Sequence, residues 1–298
     1  MGPGLPCLPI CRPLDLVVEA GYAGGASFDV WDLATSKVQH TAMAPYDQYL
    51  DGTGLLTPDG KSMVYRLRSQ GAVIYDLATG KPAKAIEADP DLGRANAMAL
   101  APDGKTLALG TKNGAIIVYD LEKGKVRHTL QPEPLPRPGP PLPGLPTPKY
   151  GSVNVLAFAP DNKTLAAFGS RDRKVDLWDT GTGKNIDFLR LGTGVAPQAL
   201  AFSPDGKTLA FGGNHPLKGS AVALWDLAAG GFRADFDGMG PAKGSAVEFL
   251  AFSADGKTLV AAGDYKPIDF WDVPQGKCKA TRPSEPTPEQ QKAPGTPP

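Results

Sequence analysis

The chain has 298 residues, of which 41% are apolar and 21% charged, an ordinary composition for a globular protein and not for a chain that is disordered or fibrous throughout. Thirty-one basic residues balance thirty-one acidic ones, so no electrostatic attraction to nucleic acid or to an anionic membrane is predicted. No apolar run approaches the roughly 18 residues that span a bilayer, and no secretory signal is evident, so we expect a cytoplasmic protein.

The N-terminal segment, residues 1–13, is broken by prolines and contains two of the three cysteines, Cys7 and Cys11. If this segment is extended, four steps of about 3.3 Å put these two about 13 Å apart, too far for a disulfide. The third cysteine is Cys278, and the nearest histidine to the pair is His40. The sequence therefore predicts neither a disulfide framework nor a metal site, and it indicates no cofactor.

From residue 14 onward the chain is built from repeats. An aromatic residue followed by aspartate and then a turn recurs six times, in VWDLATSK, IYDLATGK, VYDLEKGK, LWDTGTGK, LWDLAAGG and FWDVPQGK. The aromatic residues are Trp31, Tyr75, Tyr119, Trp178, Trp225 and Trp271, separated by 44, 44, 59, 47 and 46 residues. A period of this length is typical of repeat architectures, in which each copy is one supersecondary unit.

A second motif precedes these pairs by about 15 to 21 residues. It reads TPDGK, APDGK, APDNK, SPDGK and SADGK, at 57–61, 101–105, 159–163, 203–207 and 253–257. Each period then holds four short apolar runs, as in 200–202, 208–211, 222–225 and 232–236. Runs rich in Val, Leu and Phe and bounded by Gly, Pro and Asp predict four strands per period.

The repeats resemble the WD40 family, most closely in GSVNVLAFAPDNKTLAAFGSRDRKVDLWDTGTGK at 151–184, and AFSPDGKTLA is similar to its bacterial-type members. The resemblance covers 14–281 and implies an all-β propeller of four-stranded blades. Six blades are expected, with residues 8–10 as a worn first strand and 14–19 and 27–31 as the next two. Many family members have seven blades, so a truncated seventh blade at the N-terminus is the alternative.

A proline-rich insertion at 131–149 accounts for the 59-residue step, with nine prolines in nineteen residues. Arg137, Pro140 and Pro143 are spaced as in ligands of SH3 domains, and PPLP is a form that WW domains bind. A low-complexity surface spacer is the simpler interpretation. The tail, 282–298, is rich in Pro, Glu and Gln and is expected to be disordered.

The recurrent Pro-Asp-Gly is interpreted as a turn and not as a ligand site. Proline presets φ at the first corner, aspartate bonds the local backbone at the second, and glycine accepts the positive φ that closes a three-residue hairpin with a bulge. Asn162 replaces the glycine in one copy, which such a turn tolerates. Each copy supplies one carboxylate, too few for a calcium loop.

The aromatic-Asp pairs are also expected to be structural, with the aromatic packed between blades and the aspartate bonded to the next turn. In the WD40 family an Asp about six residues before the Trp joins a hydrogen-bonded tetrad with His and Ser or Thr. Asp172 fits that position before Trp178, Asn113 matches it weakly, and the Gly-His pair is missing throughout. Blade stability is therefore expected to rest on packing.

None of the three histidines predicts catalysis. His40 and His128 both follow a repeat aromatic by nine residues, so they occupy one repeat position on an outer strand. His215 lies in GGNHPLKGS, in a loop expected between the second and third strands, without a serine or cysteine nucleophile motif nearby.

The resemblance therefore implies a non-enzymatic scaffold that binds other proteins or peptides. Its contacts are expected on the loops between blades and between second and third strands, which gather at one end. Residue types typical of interface hot spots lie there, together with His215: Tyr46, Tyr49, Arg66, Arg68, Arg171, Arg173 and Tyr265. The alternatives are a lactonase-like or peptidase-associated propeller enzyme, and a sensory or docking fragment of a larger bacterial protein such as a kinase.

Overall fold

The computed structural model describes residues 10–11, 16–21, 27–32, 37–43, 54–67, 71–87, 92–132, 151–169, 174–191, 196–215, 219–236, 247–263 and 268–282. For 10–43, 215, 219–220, 234–236 and 281–282 it describes the backbone alone. Within these ranges the chain forms strands and turns, and no helix is long and apolar enough to cross a membrane.

The described strands form six four-stranded antiparallel sheets, each with its strands in chain order. Sheet 1 contains β1 (Ile10–Cys11), β2 (Leu16–Gly21), β3 (Ser27–Asp32) and β4 (Lys37–Met43); sheet 2 contains β5 (Leu55–Leu56), β6 (Ser62–Arg66), β7 (Ala72–Asp76) and β8 (Lys81–Ile86). Sheet 3 contains β9 (Ala95–Leu100), β10 (Thr106–Thr111), β11 (Ile116–Asp120) and β12 (Lys125–Leu130); sheet 4 contains β13 (Val153–Phe158), β14 (Thr164–Gly169), β15 (Lys174–Asp179) and β16 (Lys184–Arg190). Sheet 5 contains β17 (Ala196–Phe202), β18 (Thr208–His215), β19 (Gly219–Asp226) and β20 (Gly231–Phe236); sheet 6 contains β21 (Phe249–Phe252), β22 (Thr258–Ala262), β23 (Ile268–Asp272) and β24 (Lys277–Arg282).

Sheet 1 shows how the chain begins its repeats. Its first strand is residues 10–11, slightly later than the predicted 8–10, and Ile10 pairs with Val17 of β2. Its second strand begins at Leu16, two residues after the predicted start. Within the described residues each sheet takes all four strands from one contiguous stretch, and the prediction of an all-β fold of four-stranded blades is confirmed.

The core lies between successive sheets from sheet 2 to sheet 6. Between sheets 4 and 5, for example, Val175 and Leu177 pack with Leu209 and Phe211, and all four are buried. Similar apolar clusters join sheets 2 and 3, sheets 3 and 4, and sheets 5 and 6. The first strands of sheets 3 to 6 are innermost: β9 contacts β13, β13 contacts β17, and β17 contacts β21. Face-to-face sheets around such an arc are the arrangement of a propeller.

Both hairpins of a sheet turn at the same end. In sheet 2 the Leu77 N–H donates to the Lys61 carbonyl at 2.8 Å, which joins the β5–β6 turn to the β7–β8 turn. The same bond recurs in sheets 3 to 6 at 2.9 Å, from Leu121, Thr180, Leu227 and Val273. We call this the turn end, and the opposite end, where second strands lead to third strands and one sheet leads to the next, the loop end.

The Pro-Asp-Gly turns use their aspartates internally. Asp205 accepts from the Ser203 hydroxyl at 2.6 Å and from the Lys207 N–H at 3.0 Å. These hydrogen bonds hold the pKa of Asp205 below its usual value, the hydroxyl bond having the larger effect. A lysine N–H also donates to Asp59, Asp103, Asp161 and Asp255. Each carboxylate thus caps a turn.

The hairpin loops contain four residues and not the predicted three. The closing bond runs from the Ser203 N–H to the Thr208 carbonyl at 2.8 Å, which leaves residues 204–207 outside the strand ladder. The extra residue is Lys207, because its N–H bonds the Asp205 side chain instead of the opposite strand. Gly206 has a φ of 69°, and Asn162 takes the same conformation with a φ of 62°.

Neighbouring turns also contact each other around the turn end. A Cβ added to Gly206 would lie 3.4 Å from Cγ of Pro160 in the preceding sheet, and one added to Gly104 would lie 2.9 Å from Cδ of Pro58. The Asn162 side chain accepts from the Asp103 N–H at 2.8 Å across the same kind of junction. Glycine is therefore favoured by its positive φ and, at Gly104, by the adjacent proline as well.

Replacing Gly206 with asparagine is expected to cost no more than about 1 kcal/mol of unfolding free energy, because asparagine tolerates the left-handed conformation. Replacing it with valine is expected to cost about 2 kcal/mol, because a β-branched residue is strained there. Urea unfolding of the two variants measures the difference. Equal losses in the two variants would contradict the assignment of this glycine to turn conformation.

Candidate functional site

The repeat aromatics form part of the core and not an exposed site. Tyr75, Tyr119, Trp178, Trp225 and Trp271 are all buried. Trp31 pairs with Val17 and Val38 within sheet 1, where the backbone alone is described. In the described part of the chain the indole N–H groups of Trp178 and Trp225 have no hydrogen-bond acceptor. Packing between sheets, and not a polar network around the indole, holds these two residues.

The aspartates that follow the aromatics are also engaged in turns. Backbone N–H groups donate at 2.8–2.9 Å to the five whose side chains are described: Thr79 to Asp76, Lys123 to Asp120, Gly181 and Thr182 to Asp179, Ala228 and Ala229 to Asp226, and Gln275 to Asp272. Arg127 adds a 2.8 Å ion pair to Asp120, and its hydrogen bond is the main reason that the pKa of this carboxyl falls to about 2.

Of the eight loop residues predicted to bind a partner, Arg66 is the one whose side chain is described. Tyr46, Tyr49, Arg68, Arg171, Arg173 and Tyr265 lie outside the described residues, as does Asp172. The prediction that His215 lies in a loop is wrong: it is the last residue of β18 and pairs with Gly219. The β18–β19 pairing continues past Gly213, so only residues 216–218 are left to connect the strands.

Arg66 begins a hydrogen-bonded chain that crosses three sheets at the loop end. Its Nη1 group donates to the Asn96 carbonyl, at the start of β9. The Asn96 side-chain amide in turn donates to the Ser152 hydroxyl, directly before β13. Arg66 is partly buried, and its hydrogen bond joins sheet 2 to sheet 3. The residue therefore has a structural role at the loop end in addition to its charge.

Asn96 belongs to a series of polar residues set in β-bulges. The register of the innermost strand shifts at Asn96 in β9, at Asn154 in β13 and at Gln198 in β17. All three stand seven residues before the aspartate of their turn, and Glu248 has the same position in sheet 6. A bulge inserts one residue into a ladder and redirects its side chain, and bulges are frequent beside functional sites.

These four residues are more accessible than their neighbours. Asn96 is half-buried between buried Ala95 and Ala97, whereas Asn154, Gln198 and Glu248 are exposed. Because the innermost strands contact one another in order, the four positions form an arc around the axis at the loop end. Phe249, next to Glu248, adds an aromatic side chain that is 37% exposed. We call Asn96, Asn154, Gln198, Glu248 and Phe249 the rim.

The rim residues are not among the binding residues predicted from the sequence. The predicted binding residues are mostly Tyr and Arg in loops, whereas Asn96, Asn154 and Gln198 lie just inside strands as single polar residues in apolar runs. Glu248 directly precedes β21. The usable signal was the alignment of the repeats on their turns, which places a polar residue at the same offset four times.

The chemistry of the rim favours recognition over catalysis. Asparagine and glutamine amides both donate and accept hydrogen bonds, so they match the N–H and C=O groups of a peptide backbone. In the described part of the chain no group of three or more His, Cys, Asp or Glu side chains is placed to hold a metal ion. His128 is bonded locally, with Nε2 2.9 Å from the Gly181 carbonyl oxygen of the next sheet.

Comparison with known families agrees with this architecture. Residues 50–135 match the model of the WD40 domain of anaphase-promoting complex subunit 4, and residues 144–179 match the model of the WD domain, G-beta repeat. Residues 50–135 and 144–179 are thus similar to WD40 repeats, in agreement with the repeated four-stranded sheets. No curated protein sequence matches it.

Among solved structures, the chain is similar to a chain from a crystal structure of the mitotic checkpoint complex. The TM-score is 0.72, the identity is 20%, and the alignment covers 94% of this chain and 77% of the other. At this identity the likeness concerns the fold, and it confirms the propeller architecture.

Proposed function

We propose that this chain is a non-enzymatic scaffold, built from WD40 repeats of bacterial type, whose rim binds extended segments of other proteins. The observation that carries this proposal is the bulge that recurs on three innermost strands and presents Asn96, Asn154 and Gln198 at one position. A feature that disrupts the strand ladder costs stability, so its repetition on three innermost strands favours a binding role.

The contrast between the two ends of the sheets supports the same choice. At the turn end, carboxylates such as Asp205 and Asp179 are engaged by the N–H groups of their own turns. At the loop end, Asn154 and Gln198 are exposed side chains on innermost strands. Interfaces gain affinity from polar groups that are held in place before binding, because less entropy is lost.

The similar proteins are consistent with a binding role. One family model describes a subunit of the anaphase-promoting complex, and the similar solved chain comes from the mitotic checkpoint complex. Both names denote assemblies of several proteins. From these similar proteins we transfer to this chain only the class of ligand, which is a segment of another protein.

Peptide selection tests the proposal. Twelve-residue random peptides displayed on phage are selected on the whole chain, and selected peptides are synthesised for calorimetry. The double variant Asn154→Ala/Gln198→Ala is expected to bind them about tenfold or more weakly, because two hydrogen bonds of about 1 kcal/mol each are lost.

The matched control is Gln275→Ala, which removes an exposed amide of the same kind at the turn end. It is expected to leave the affinity unchanged. If no peptide is selected, or if the rim variant and the Gln275 variant bind equally well, the rim is not the binding site. Arg66 is unsuitable as a test residue because its substitution would break the bond to the Asn96 carbonyl between sheets 2 and 3.

A further inference from the structure

The outermost strands carry a second set of bulges, far from the rim. The pairing of each fourth strand with its third strand shifts just after the residue opposite the repeat aromatic. The extra residues are Gln39, Ala83, Arg127, Ile186, Arg233 and Lys279. Sheets 3, 5 and 6 thus place a cation at this position, and sheet 4 places an isoleucine.

In the other sheets these cations are held by polar groups of the same sheet. Arg127 is ion-paired with Asp120 at 2.8 Å, and Lys279 with Asp272 at 3.1 Å. Arg233 donates to the Thr208 hydroxyl at 3.4 Å. The outer surface at this position is therefore polar in sheets 3, 5 and 6, whereas sheet 2 has the small Ala83 there.

Sheet 4 differs from these sheets at two positions. Ile186 is 54% exposed, and Phe188, two residues further along β16, is 42% exposed. Phe188 pairs with Asp176, a position whose counterparts in sheets 3 and 6 are Thr129 and Thr281. Two large apolar side chains thus stand in water where sheets 3 and 6 have a cation and a threonine and sheet 2 has only the small Ala83 and Ala85, which is typical of an interaction surface.

Other exposed apolar residues on outer strands have a structural explanation. Val126 and Phe232 lie opposite the repeat aromatics Tyr119 and Trp225. Phe232 packs edge-on against Trp225 with a centroid distance of 4.7 Å. Ile186 and Phe188 do not lie opposite an aromatic, because Trp178 pairs with Asn185.

The charges around Phe188 indicate what kind of partner fits. Lys174 Nζ and Arg190 Cζ lie 5.4 and 5.1 Å from the centre of its ring. Lys174 is paired with Asp176, which is 6% exposed, so the exposed charge on this side of the strands is positive. The neighbouring carboxylate of Asp187 accepts from the Phe188 N–H at 2.7 Å, which caps the edge of β16 against the addition of another strand.

We propose that Ile186, Phe188 and Arg190, together with Lys174, form a docking surface for an extended acidic peptide with apolar residues at alternate positions. The apolar side chains of the peptide cover Ile186 and Phe188, and its carboxylates meet Arg190 and Lys174. Contact is made by side chains, because the Phe188 N–H is already bonded. This surface is on β15 and β16, the two outer strands of sheet 4, and does not depend on the rim.

Fluorescence anisotropy tests the proposal with a labelled twelve-residue peptide that alternates Leu or Phe with Glu or Asp. A second peptide carries Lys at each acidic position. We expect the acidic peptide to bind the whole chain about tenfold or more tightly than the basic one, and Arg190→Glu to reduce that preference. Equal affinities for the two peptides would overturn the proposal.

The matched variant is Ile186→Lys/Phe188→Thr, which installs residue types that Lys279 and Thr129 show this fold accepts at the same positions. It is expected to weaken binding of the acidic peptide about tenfold or more, without a change in melting temperature. Val126→Thr removes an exposed apolar residue from the adjacent sheet and should have no effect. Unchanged affinity in the double variant would overturn the proposal.

Two further outcomes would assign the surface to another occupant and overturn the proposal. One is self-association in sedimentation velocity that the double variant abolishes, which would indicate a second copy of the chain. The other is binding of the acidic peptide only after the insertion, residues 131–149, is deleted, which would indicate that the insertion occupies the surface. Peptides selected on the rim should bind the double variant normally, so failure of this proposal is distinguishable from failure of the proposed function.

Discussion

Replacing Gly213 with alanine is expected to lower the free energy of unfolding by about 3 kcal/mol or more. An added Cβ would overlap the Ala196 carbonyl oxygen and lie 2.9 Å from its carbonyl carbon. Because both atoms belong to the backbone of β17, no side-chain rotation relieves the contact. The innermost strand of sheet 5 would have to move away from β18, and the bulge at Gln198 would move with it.

Gly231→Ala is the control for this substitution. A Cβ there would have no neighbour within 4 Å, and φ is not in the left-handed region. Its expected effect is neutral or slightly stabilising, by about 0.4–1 kcal/mol, because alanine restricts the unfolded chain. Denaturant unfolding of both variants measures the difference, and similar stabilities would show that β17 and β18 do not approach closely at Gly213.

Replacing Phe211 with alanine is expected to cost about 3–5 kcal/mol of unfolding free energy. The side chain is fully buried between sheets 4 and 5, where it packs with Leu177 and Leu209. Truncation removes the transfer free energy of the ring and leaves a cavity that the two sheets cannot fill without moving together.

Phe232, whose ring centroid lies 6.0 Å from that of Phe211, provides the comparison. It is 41% exposed, so Phe232→Ala should cost much less, about 1 kcal/mol from the lost aromatic contacts. Thermal and urea unfolding give both values. Equal losses would contradict a core that lies between the sheets.

The fold could be predicted from the sequence because its strongest signals are local. Asp205 and Gly206 specify a turn through their own backbone bonding and conformation, and this signal survives the exchange of glycine for asparagine at Asn162. Because the turn motif recurs at a nearly constant period, each period is expected to form the same four-stranded sheet. The predicted start of β1 was less accurate, because a strand of two residues has too few residues to show an apolar pattern.

The candidate sites could not be predicted in the same way, because they depend on the register between strands. Nothing in the local sequence of Gln198 shows that it is the extra residue opposite β18, and a shift by one residue would turn the side chain into the core. Ile186 likewise does not stand out in the local sequence. Its difference from Arg127, Arg233 and Lys279 becomes visible only when the bulges of the outer strands are aligned. His215 was misplaced for a related reason, since Gly213 and Pro216 resemble a turn although pairing continues between them.

Variation at fixed structural positions is therefore the main guide to function in this chain. The turn end repeats both its residues and its hydrogen bonds. The rim and the outer strand of sheet 4 keep the backbone geometry of the other sheets and change the side chains that it presents.

The most direct test of a rim-centred binding function is a crystal structure of the whole chain with a peptide selected on it. We predict that the peptide lies across the loop end, with backbone groups within hydrogen-bonding distance of the Asn154 and Gln198 amides. A peptide bound instead at the turn end, against Asp205 and Asp255, would contradict this assignment.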